Sequence, residues 1–459
     1  MSAETRERVQ ASDFRNLKSK PRSRAILTTL LSFIFVLGVL VFVHELGHFL
    51  VAKKCGMKVE QFSLGYPPKA FGVTVGETEY LISWLPLGGY VKVAGMSDFG
   101  KDDPEGKPWE FQSKPRWMQA SVMAAGPAMN IILGFLLILT IRVAYGDYAY
   151  LTQTTLGGVE PQTALYDAGI RAGDRIVQID GQPVDNWGQV FDGLAGALGS
   201  RIDLAVDRAG EQVLATAVLD NDPMKLGIHP PLLPIVGQVM PGYPAEGTGL
   251  EGGDIVTSVD GTPVTYWWEM SQIIEARADQ EVSITWVRPD EGRAEMSATI
   301  TPKGDEVGGE IVGRIGISRD LGDRVPVPLG QAVTRSGEEL LLYTGSIFAF
   351  LERLISGRGS SNELAGPVAI AQMAGKSAER GLEALFSFMA LLSVNLAVLN
   401  LLPIPMLDGG HLFIMGIETI VRRDLSVKQK EVLQQVGFVF LLALMIYVTA
   451  NDIGRWLTN

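Results

Sequence analysis

Cysteine is almost absent from this chain, and histidine is scarce. The 459 residues contain one cysteine, Cys55, and four histidines. A single cysteine permits neither an internal disulfide nor a zinc site built from cysteine clusters, so neither kind of cross-link stabilises this fold. A histidine-based metal site has only four residues to draw on, which are His44, His48, His229 and His411.

Basic residues are fewer than acidic residues in this chain. The chain has 39 Lys and Arg against 51 Asp and Glu, which gives a formal net charge of -12 and an isoelectric point near 5.0. Nucleic acids are polyanions, so we expect no nucleic-acid partner. We attribute the acidity to the solubility of the water-exposed parts.

Charged residues are missing from four apolar stretches, at 25–43, 119–141, 385–407 and 435–451. Each is close to the roughly 20 residues that cross a lipid bilayer, and the last is the shortest. The first is too long for the apolar part of a signal peptide, and no small-residue cleavage site follows it. The sequence therefore predicts a polytopic α-helical membrane protein with about four transmembrane helices.

A motif recurs 80 positions apart between the second and third apolar stretches. GDRIVQIDGQPV at 173–184 is followed by GDIVTSVDGTPV at 253–264. Each copy predicts two strands joined by an Asp-Gly turn, and the constant offset predicts a tandem repeat. Both copies resemble PDZ domains of the bacterial, circularly permuted kind, which add an extended peptide to a sheet edge. We expect two inserted α+β PDZ domains, at 148–225 and 232–304, which either contact peptides or proteins or serve only as spacers.

The remaining chain divides by composition. Residues 1–24 form a polar N-terminal tail, and 25–147 form the first part of a membrane core, with a loop whose alternation predicts short strands. Residues 325–380 contain an amphipathic segment, which lies either on the membrane surface or against the PDZ domains. Residues 381–459 form the second part of the membrane core.

The strongest chemical signal is HELGH at 44–48, at the end of the first apolar stretch. His44 and His48 are four residues apart, so on a helix they share one face and can bind one zinc ion. Glu45 between them can act as a general base on a water molecule. Ionisable residues at the end of a membrane helix are costly and usually functional. We therefore predict a catalytic metal site.

A third ligand is expected, because a catalytic zinc normally takes three protein ligands. The stretch NLLPIPMLDGGH at 400–411 offers Asp408 and, as an alternative, His411. Asp408 is the better candidate, since it is the only acidic residue between 384 and 416. Two prolines before it break the helix, and irregular backbone at membrane depth is tolerated where it lines a protein-enclosed cavity.

These motifs together resemble the site-2 protease family of intramembrane zinc metalloproteases. The resemblance covers about 26–456 and extends to PLGGY at 86–90 and AGPAMN at 125–130. It implies β-hairpins around 64–93 that dip into the membrane. It also assigns site residues: zinc ligands His44, His48 and Asp408, catalytic Glu45, and substrate-binding Asn395 and Asn400.

The same resemblance implies cleavage of the transmembrane segment of single-pass membrane proteins. The expected substrates are a trimmed anti-sigma factor of an envelope stress response, or remnant signal peptides. The expected location is the bacterial inner membrane, with periplasmic PDZ domains and an active site near the cytoplasmic side. Positively charged flanks give this orientation mixed support, because residues 18–24 are basic as well as 53–58.

The alternative is a non-catalytic PDZ membrane scaffold with a structural metal or none. Glu45 argues against it, because a structural zinc site is normally closed by four protein ligands and needs no adjacent base.

Overall fold

The computed structural model divides into two units. We call Met1–Tyr145 with Val327–Asn459 the membrane-core unit, and Gly146–Pro326 the repeat unit. The structure describes residues 3–96, 106–222, 225–289, 292, 294–307, 310–356, 365–423 and 425–458.

Long helices make up most of the membrane-core unit, whereas the helices and strands of the repeat unit are short and mostly strands. The helices are α1 Ala3–Lys54, α2 Arg116–Tyr145, α3 Ala164–Asp167, α4 Trp187–Gly196, α5 Trp267–Glu275, α6 Leu329–Ile355, α7 Pro367–Glu379, α8 Leu382–Leu401, α9 Asp408–Val421 and α10 Val427–Thr458. The first strands are β1 Val59–Val75, β2 Thr78–Val93, β3 Asp147–Tyr148, β4 Gly158–Val159, β5 Arg175–Ile179, β6 Gln182–Pro183, β7 Arg201–Arg208, β8 Glu211–Val218 and β9 Ile228–His229. The later strands are β10 Val236–Val239, β11 Ile255–Val259, β12 Thr262–Pro263, β13 Val282–Val287, β14 Glu295–Ile300, β15 Lys303–Val307, β16 Glu310–Arg314, β17 Ile317–Arg319 and β18 Arg324–Val325.

Four of the described helices are long and apolar enough to cross a membrane. The spans are Ile26–Lys54, Arg116–Tyr145, Leu382–Leu401 and Lys428–Asp452. Each has at least 20 residues, which at 1.5 Å per residue reaches about 30 Å, the thickness of a bilayer's hydrocarbon core. By length and composition, the prediction of about four transmembrane helices is confirmed.

The ends of two spans can be compared with the sequence prediction. The first helix begins at Ala3, so residues 3–24 of the predicted polar tail are helical and continuous with the first span. This segment is rich in Arg, Lys and Glu, which are good helix formers. The third span ends at Leu401, as expected from Pro403 and Pro405, which follow it and cannot continue a helix.

The core of the membrane-core unit forms where α2 packs against both α1 and α8. Val36 and Leu40 of α1 are buried in one apolar cluster with Phe388 and Met389 of α8. The amphipathic helix α6 packs onto α2 and α8, with Ile347 in contact with the apolar cluster of α8. This packing adds a contact that the sequence did not predict, and the location of 325–380 on the membrane surface stays a prediction.

Strands β1 and β2 form one antiparallel pair whose register shifts several times. Val59 lies opposite Val93, and Val75 lies opposite Thr78. Between these ends, residues 61–64 have partners at 89–92 on one side and at 79–82 on the other. Among the described residues, the strand at 89–93 pairs only with the start of β1. It is therefore an outer strand of this small sheet.

The repeat unit contains two four-stranded sheets with the same order of strands. They run β6-β5-β7-β8 and β12-β11-β13-β14, and each packs one helix, α4 or α5, onto an apolar core. Corresponding strands β5 and β11 begin at Arg175 and Ile255, which keeps the offset of 80. The α+β character expected of the tandem repeat is therefore observed.

Candidate metal centre

The first two site residues lie near the C-terminal end of α1. His44 and His48 share one face of the helix, and their Nε2 atoms are 3.2 Å apart. His48 Nδ1 lies 2.7 Å from the carbonyl oxygen of Val122, which can only accept a hydrogen bond. The hydrogen of a neutral His48 therefore lies on Nδ1, and Nε2 keeps a lone pair for a metal.

The third residue, Asp408, is the first residue of α9 and follows an irregular segment at 402–407. The segment folds back tightly onto the start of α9. A Cβ at Gly409 or Gly410 would overlap the backbone carbonyl of Leu401 or Ile404. The two glycines therefore let the broken backbone present Asp408 at the helix start.

The structure brings these three side chains together. Asp408 Oδ2 lies 3.1 Å from His44 Nε2, and Asp408 Oδ1 lies 3.5 Å from His48 Nε2. The three candidate ligand atoms lie within 4.8 Å of one another. Among the residues described, no other His, Cys, Asp or Glu joins a group that could hold a metal ion, so Asp408 rather than His411 occupies the place of a third ligand.

Helix α2 forms the wall beside the ligand atoms. A Cβ at Gly126 would overlap His48 Nε2 and would lie 2.7 Å from His44 Nε2. Only a residue without a side chain fits there, and it leaves room next to both nitrogens. Two imidazoles, one carboxylate and this space suit a zinc ion that keeps one coordination position open.

A cavity of about 630 Å³ opens beside the three candidate ligands. Glu45, the predicted base, lines it together with Asn400 and His411. The outer strand of the small sheet contributes Gly89 and Tyr90 to the same wall. The base, the candidate ligands and a strand edge therefore face one space.

The other predicted substrate residue, Asn395, is half-buried on α8 and is not among the lining residues. Five residues along a helix rotate by about 140°, so Asn395 and Asn400 point in different directions. The substrate-binding role of Asn395 stays a prediction that the cavity does not support.

Sequence reasoning missed two contributions to this site. The carbonyl of Val122 orients His48, and Gln434 and Phe438 of α10 line the cavity. A backbone carbonyl carries no signal in a sequence. The sequence does not reveal which face of α10 lines the cavity either, because the apolar span of this helix has no marked polar face.

The whole chain resembles zinc metalloproteases of bacteria. The profile of peptidase family M50 matches residues 32–444. A protein of Neisseria meningitidis serogroup A with a provisional zinc metalloprotease name is 33% identical, and the alignment covers 94% of this chain and 99% of that protein. The regulator of sigma-E protease RseP of Escherichia coli K12 is 31% identical and the zinc metalloprotease RasP of Geobacillus kaustophilus is 30% identical, each with the same coverage.

Solved structures match a smaller part, and one of them serves as an example. The PDZ domain of an SdrC-like protein from Listeria monocytogenes covers 18% of this chain and 84% of its own, with 24% identity and a TM-score of 0.16. This overlap is too small to decide the fold of the repeats. Their PDZ assignment therefore still depends on their sequence motif.

The family match and the relatives favour an enzyme over a non-catalytic scaffold, and they agree with a zinc cofactor. Helices α1 and α9 bring the HELGH motif and Asp408 together as a group that could hold such an ion. The chain belongs to peptidase family M50, the site-2 protease family, and is a zinc metalloendopeptidase.

Proposed function

We propose that this enzyme cleaves single-pass membrane proteins within their transmembrane segment. The position of Glu45 is the observation that carries the proposal. Glu45 lies on α1 between the two histidines and lines the same cavity as Asp408. The helices that build this cavity include α1, α8 and α10, which all have the length and composition of membrane spans. A peptide bond that reached this cavity would meet the base and the metal ligands together.

Three residues would hold the zinc ion: His44 and His48 through Nε2, and Asp408 through its carboxylate. When bound, zinc supplies a Lewis acid that polarises the scissile carbonyl and lowers the pKa of water to about 7. Glu45 would take the proton from the attacking water and pass it to the leaving amine. Asn400 on the cavity wall offers an amide that can hydrogen-bond the backbone of the substrate.

The substrate must unwind before it is cut. In a transmembrane helix the backbone N–H and C=O groups are already paired, which shields the peptide bond. The outer strand at 89–93 could hold an unwound segment by adding it to the sheet edge. A Cβ at Gly89 would lie 3.1 Å from Glu45 Cγ, so this strand runs directly beside the base. In this proposal the hairpin lies at membrane depth.

The name of one relative supports an inference about the substrate class. RseP of Escherichia coli is named a regulator of sigma-E, so we infer a trimmed anti-sigma factor as the substrate, with remnant signal peptides as a second class. We place the chain in the bacterial inner membrane, with the repeats in the periplasm and the metal site near the cytoplasmic side. The contact between His44 and Asp408 supports a common side for both motifs, since each lies near the C-terminal end of its span.

The tandem repeats would act on the substrate before cleavage. We propose that they exclude substrates with bulky periplasmic parts, either by size alone or by binding an exposed peptide. Such a filter would explain a need for prior trimming by another protease.

The proposal is tested by cleavage of a tagged single-pass substrate with purified full-length protein and recorded zinc content. Glu45→Gln should keep zinc and lose cleavage, because the amide cannot accept the proton of water. Glu77→Gln is the matched control, since Glu77 pairs with Lys53 at 2.6 Å and does not line the cavity. Cleavage by Glu45→Gln at the wild-type rate would show that the active site is misassigned. If the zinc-loaded wild-type protein cuts none of several trimmed substrates, the proposed function is wrong.

A further inference from the structure

Asn130 of α2 is fully buried next to His44. Its side-chain nitrogen, Nδ2, lies 3.2 Å from His44 Nδ1. Its oxygen, Oδ1, is buried and has no hydrogen-bond partner within the part of the chain that the structure describes. A buried polar atom without a partner destabilises the fold, so the unpaired oxygen calls for an explanation.

The orphaned oxygen gains a partner once His44 binds a metal. A metal on Nε2 takes the lone pair of that nitrogen, so the ring hydrogen of a neutral His44 must lie on Nδ1. An Nδ1–H group is a donor and needs an acceptor. Rotation of the Asn130 amide by about 180° exchanges its nitrogen and oxygen and places Oδ1 opposite this donor.

We propose that Asn130 is a positioning residue of the metal centre, whose Oδ1 accepts a hydrogen bond from His44 Nδ1–H. The inference rests on the proposed ligand role of His44. It assigns α2 the same task for both histidines: the carbonyl of Val122 receives Nδ1–H of His48, and the amide of Asn130 receives that of His44. Each ring is then held in the tautomer and orientation that a metal requires.

The surroundings fix the backbone of Asn130 but leave its amide free to turn. Ser393 of α8 donates from Oγ to the carbonyl oxygen of Asn130 at 2.7 Å. The final torsion of an asparagine side chain is broad and roughly two-fold, so the exchange of nitrogen and oxygen needs no movement of the helix. The partner of a metal-bound histidine typically contributes about 10- to 100-fold to metal affinity.

The experiment measures zinc affinity of the full-length protein in detergent by competition with a chelator. Asn130→Leu keeps the approximate size but removes the acceptor, and we expect zinc to bind about 10- to 100-fold more weakly. Asn130→Asp restores an acceptor that cannot donate, and we expect affinity within a few-fold of wild type. Ser393→Ala is the control and should keep zinc affinity. It removes the hydrogen bond to the backbone carbonyl of Asn130 but leaves the Asn130 side-chain amide in place.

Two results would overturn the inference. One is wild-type zinc affinity in Asn130→Leu. The other is weak zinc binding in Asn130→Asp, which would show that Asn130 acts on His44 as a donor. If Asn130→Leu fails to fold, Asn130→Asp still decides between acceptor and donor. His44→Ala separates this inference from the proposed function: unchanged zinc affinity there would show that the metal site itself is misplaced.

Discussion

Gly126 of α2 lies so close to His48 of α1 that no side chain fits between them. A Cβ at Gly126 would overlap His48 Nε2. On the facing helix, a Cβ at Gly47 would overlap the carbonyl oxygen of Ala125 and lie 2.8 Å from Met129 Cγ. The two helices therefore meet backbone to backbone beside the ligand atoms, which a larger residue on either side would prevent.

Gly126→Ala should therefore disrupt zinc binding. The added methyl group would push α2 or the imidazoles apart, and overpacking of this kind costs about 1–3 kcal/mol. We expect zinc affinity to fall by about 5- to 150-fold, measured by chelator competition. Gly38→Ala on α1 is the control, because its Cβ would meet no atom within 4 Å. Full zinc affinity in Gly126→Ala would mean that the site does not depend on this close approach.

The grouping of His44, His48 and Asp408 was predictable from the sequence, but the contacts that surround them were not. His44 and His48 share a helix face by spacing alone, and Asp408 is isolated as an acid in an apolar stretch. Whether Asp408 or His411 faces the histidines depends on how residues 402–407 fold, and no local pattern decides that. The role of Gly126 arises only when two helices distant in sequence touch.

The repeats show the opposite case, in which local sequence predicted most of the structure. The Asp-Gly turns predicted by the repeated motif are present, with positive φ at Asp180 and Asp260. An ion pair also recurs at the offset of 80: Arg208 Nε donates to Asp174 at 2.7 Å, and Arg288 Nε donates to Asp254 at 2.8 Å. The aspartates belong to the motif, but their arginine partners lie 34 residues downstream and were not predicted.

Loss of these arginines should destabilise the second repeat more than the first. Both aspartate side chains are 1% exposed, whereas Arg288 is 16% exposed and Arg208 is 42% exposed. Water can replace the exposed guanidinium more easily. We expect Arg288→Met to cost about 1–3 kcal/mol and Arg208→Met less, measured as local opening free energies by hydrogen exchange in the full-length protein.

Arg201→Met is the control for this comparison. Arg201 pairs with Asp203 at 3.4 Å on the surface, where both side chains are more than 60% exposed. Such pairs contribute about 0–1 kcal/mol, so strand β7 should keep its protection. A larger loss in Arg208→Met than in Arg288→Met would show that burial does not set the strength of these pairs.

His229 should make the contact between the two repeats sensitive to acid. Its ring stacks on Trp268 with centroids 4.9 Å apart, and its Nε2 lies 2.8 Å from Glu160. Burial lowers the pKa of His229, and it outweighs the opposite effect of Glu160 and Glu275. Because the folded pKa lies below the unfolded value of about 6.5, the contribution of His229 to stability is complete above that value. It is lost as the pH falls from about 6.5 towards the folded pKa.

We therefore expect amide exchange around β9 and α5, corrected for intrinsic rates, to speed up between about pH 7.5 and 5.5. His229→Phe keeps a ring that can stack on Trp268 but cannot titrate, so it should show a weaker pH dependence. The charged groups that face His229 in this cavity are Glu160, Glu275 and Arg319, and they are unchanged in the variant. Equal pH dependence in the two proteins would assign the effect to those groups instead.

The chain enters and leaves the repeat unit side by side, which makes the proposed size filter testable. Asp147 lies opposite Val325, and Tyr148 lies opposite Arg324, whose guanidinium carbon is 3.7 Å from the centre of the Tyr148 ring. Strands β3 and β18 can therefore be joined directly by a two-residue Asn-Gly turn in place of residues 149–323.

The shortened protein should keep zinc and still cut a trimmed substrate, because the residues of the metal site and its cavity all lie outside the deleted segment. If the repeats exclude bulky substrates, it should also cut an untrimmed substrate that wild type leaves intact. The measurement compares two substrates that differ only in a folded periplasmic domain. Glu45→Gln in the shortened protein is the control that assigns any new cleavage to this site. If the shortened protein still rejects the untrimmed substrate, selection by size must lie in the membrane-core unit, where the outer strand at 89–93 borders the cavity.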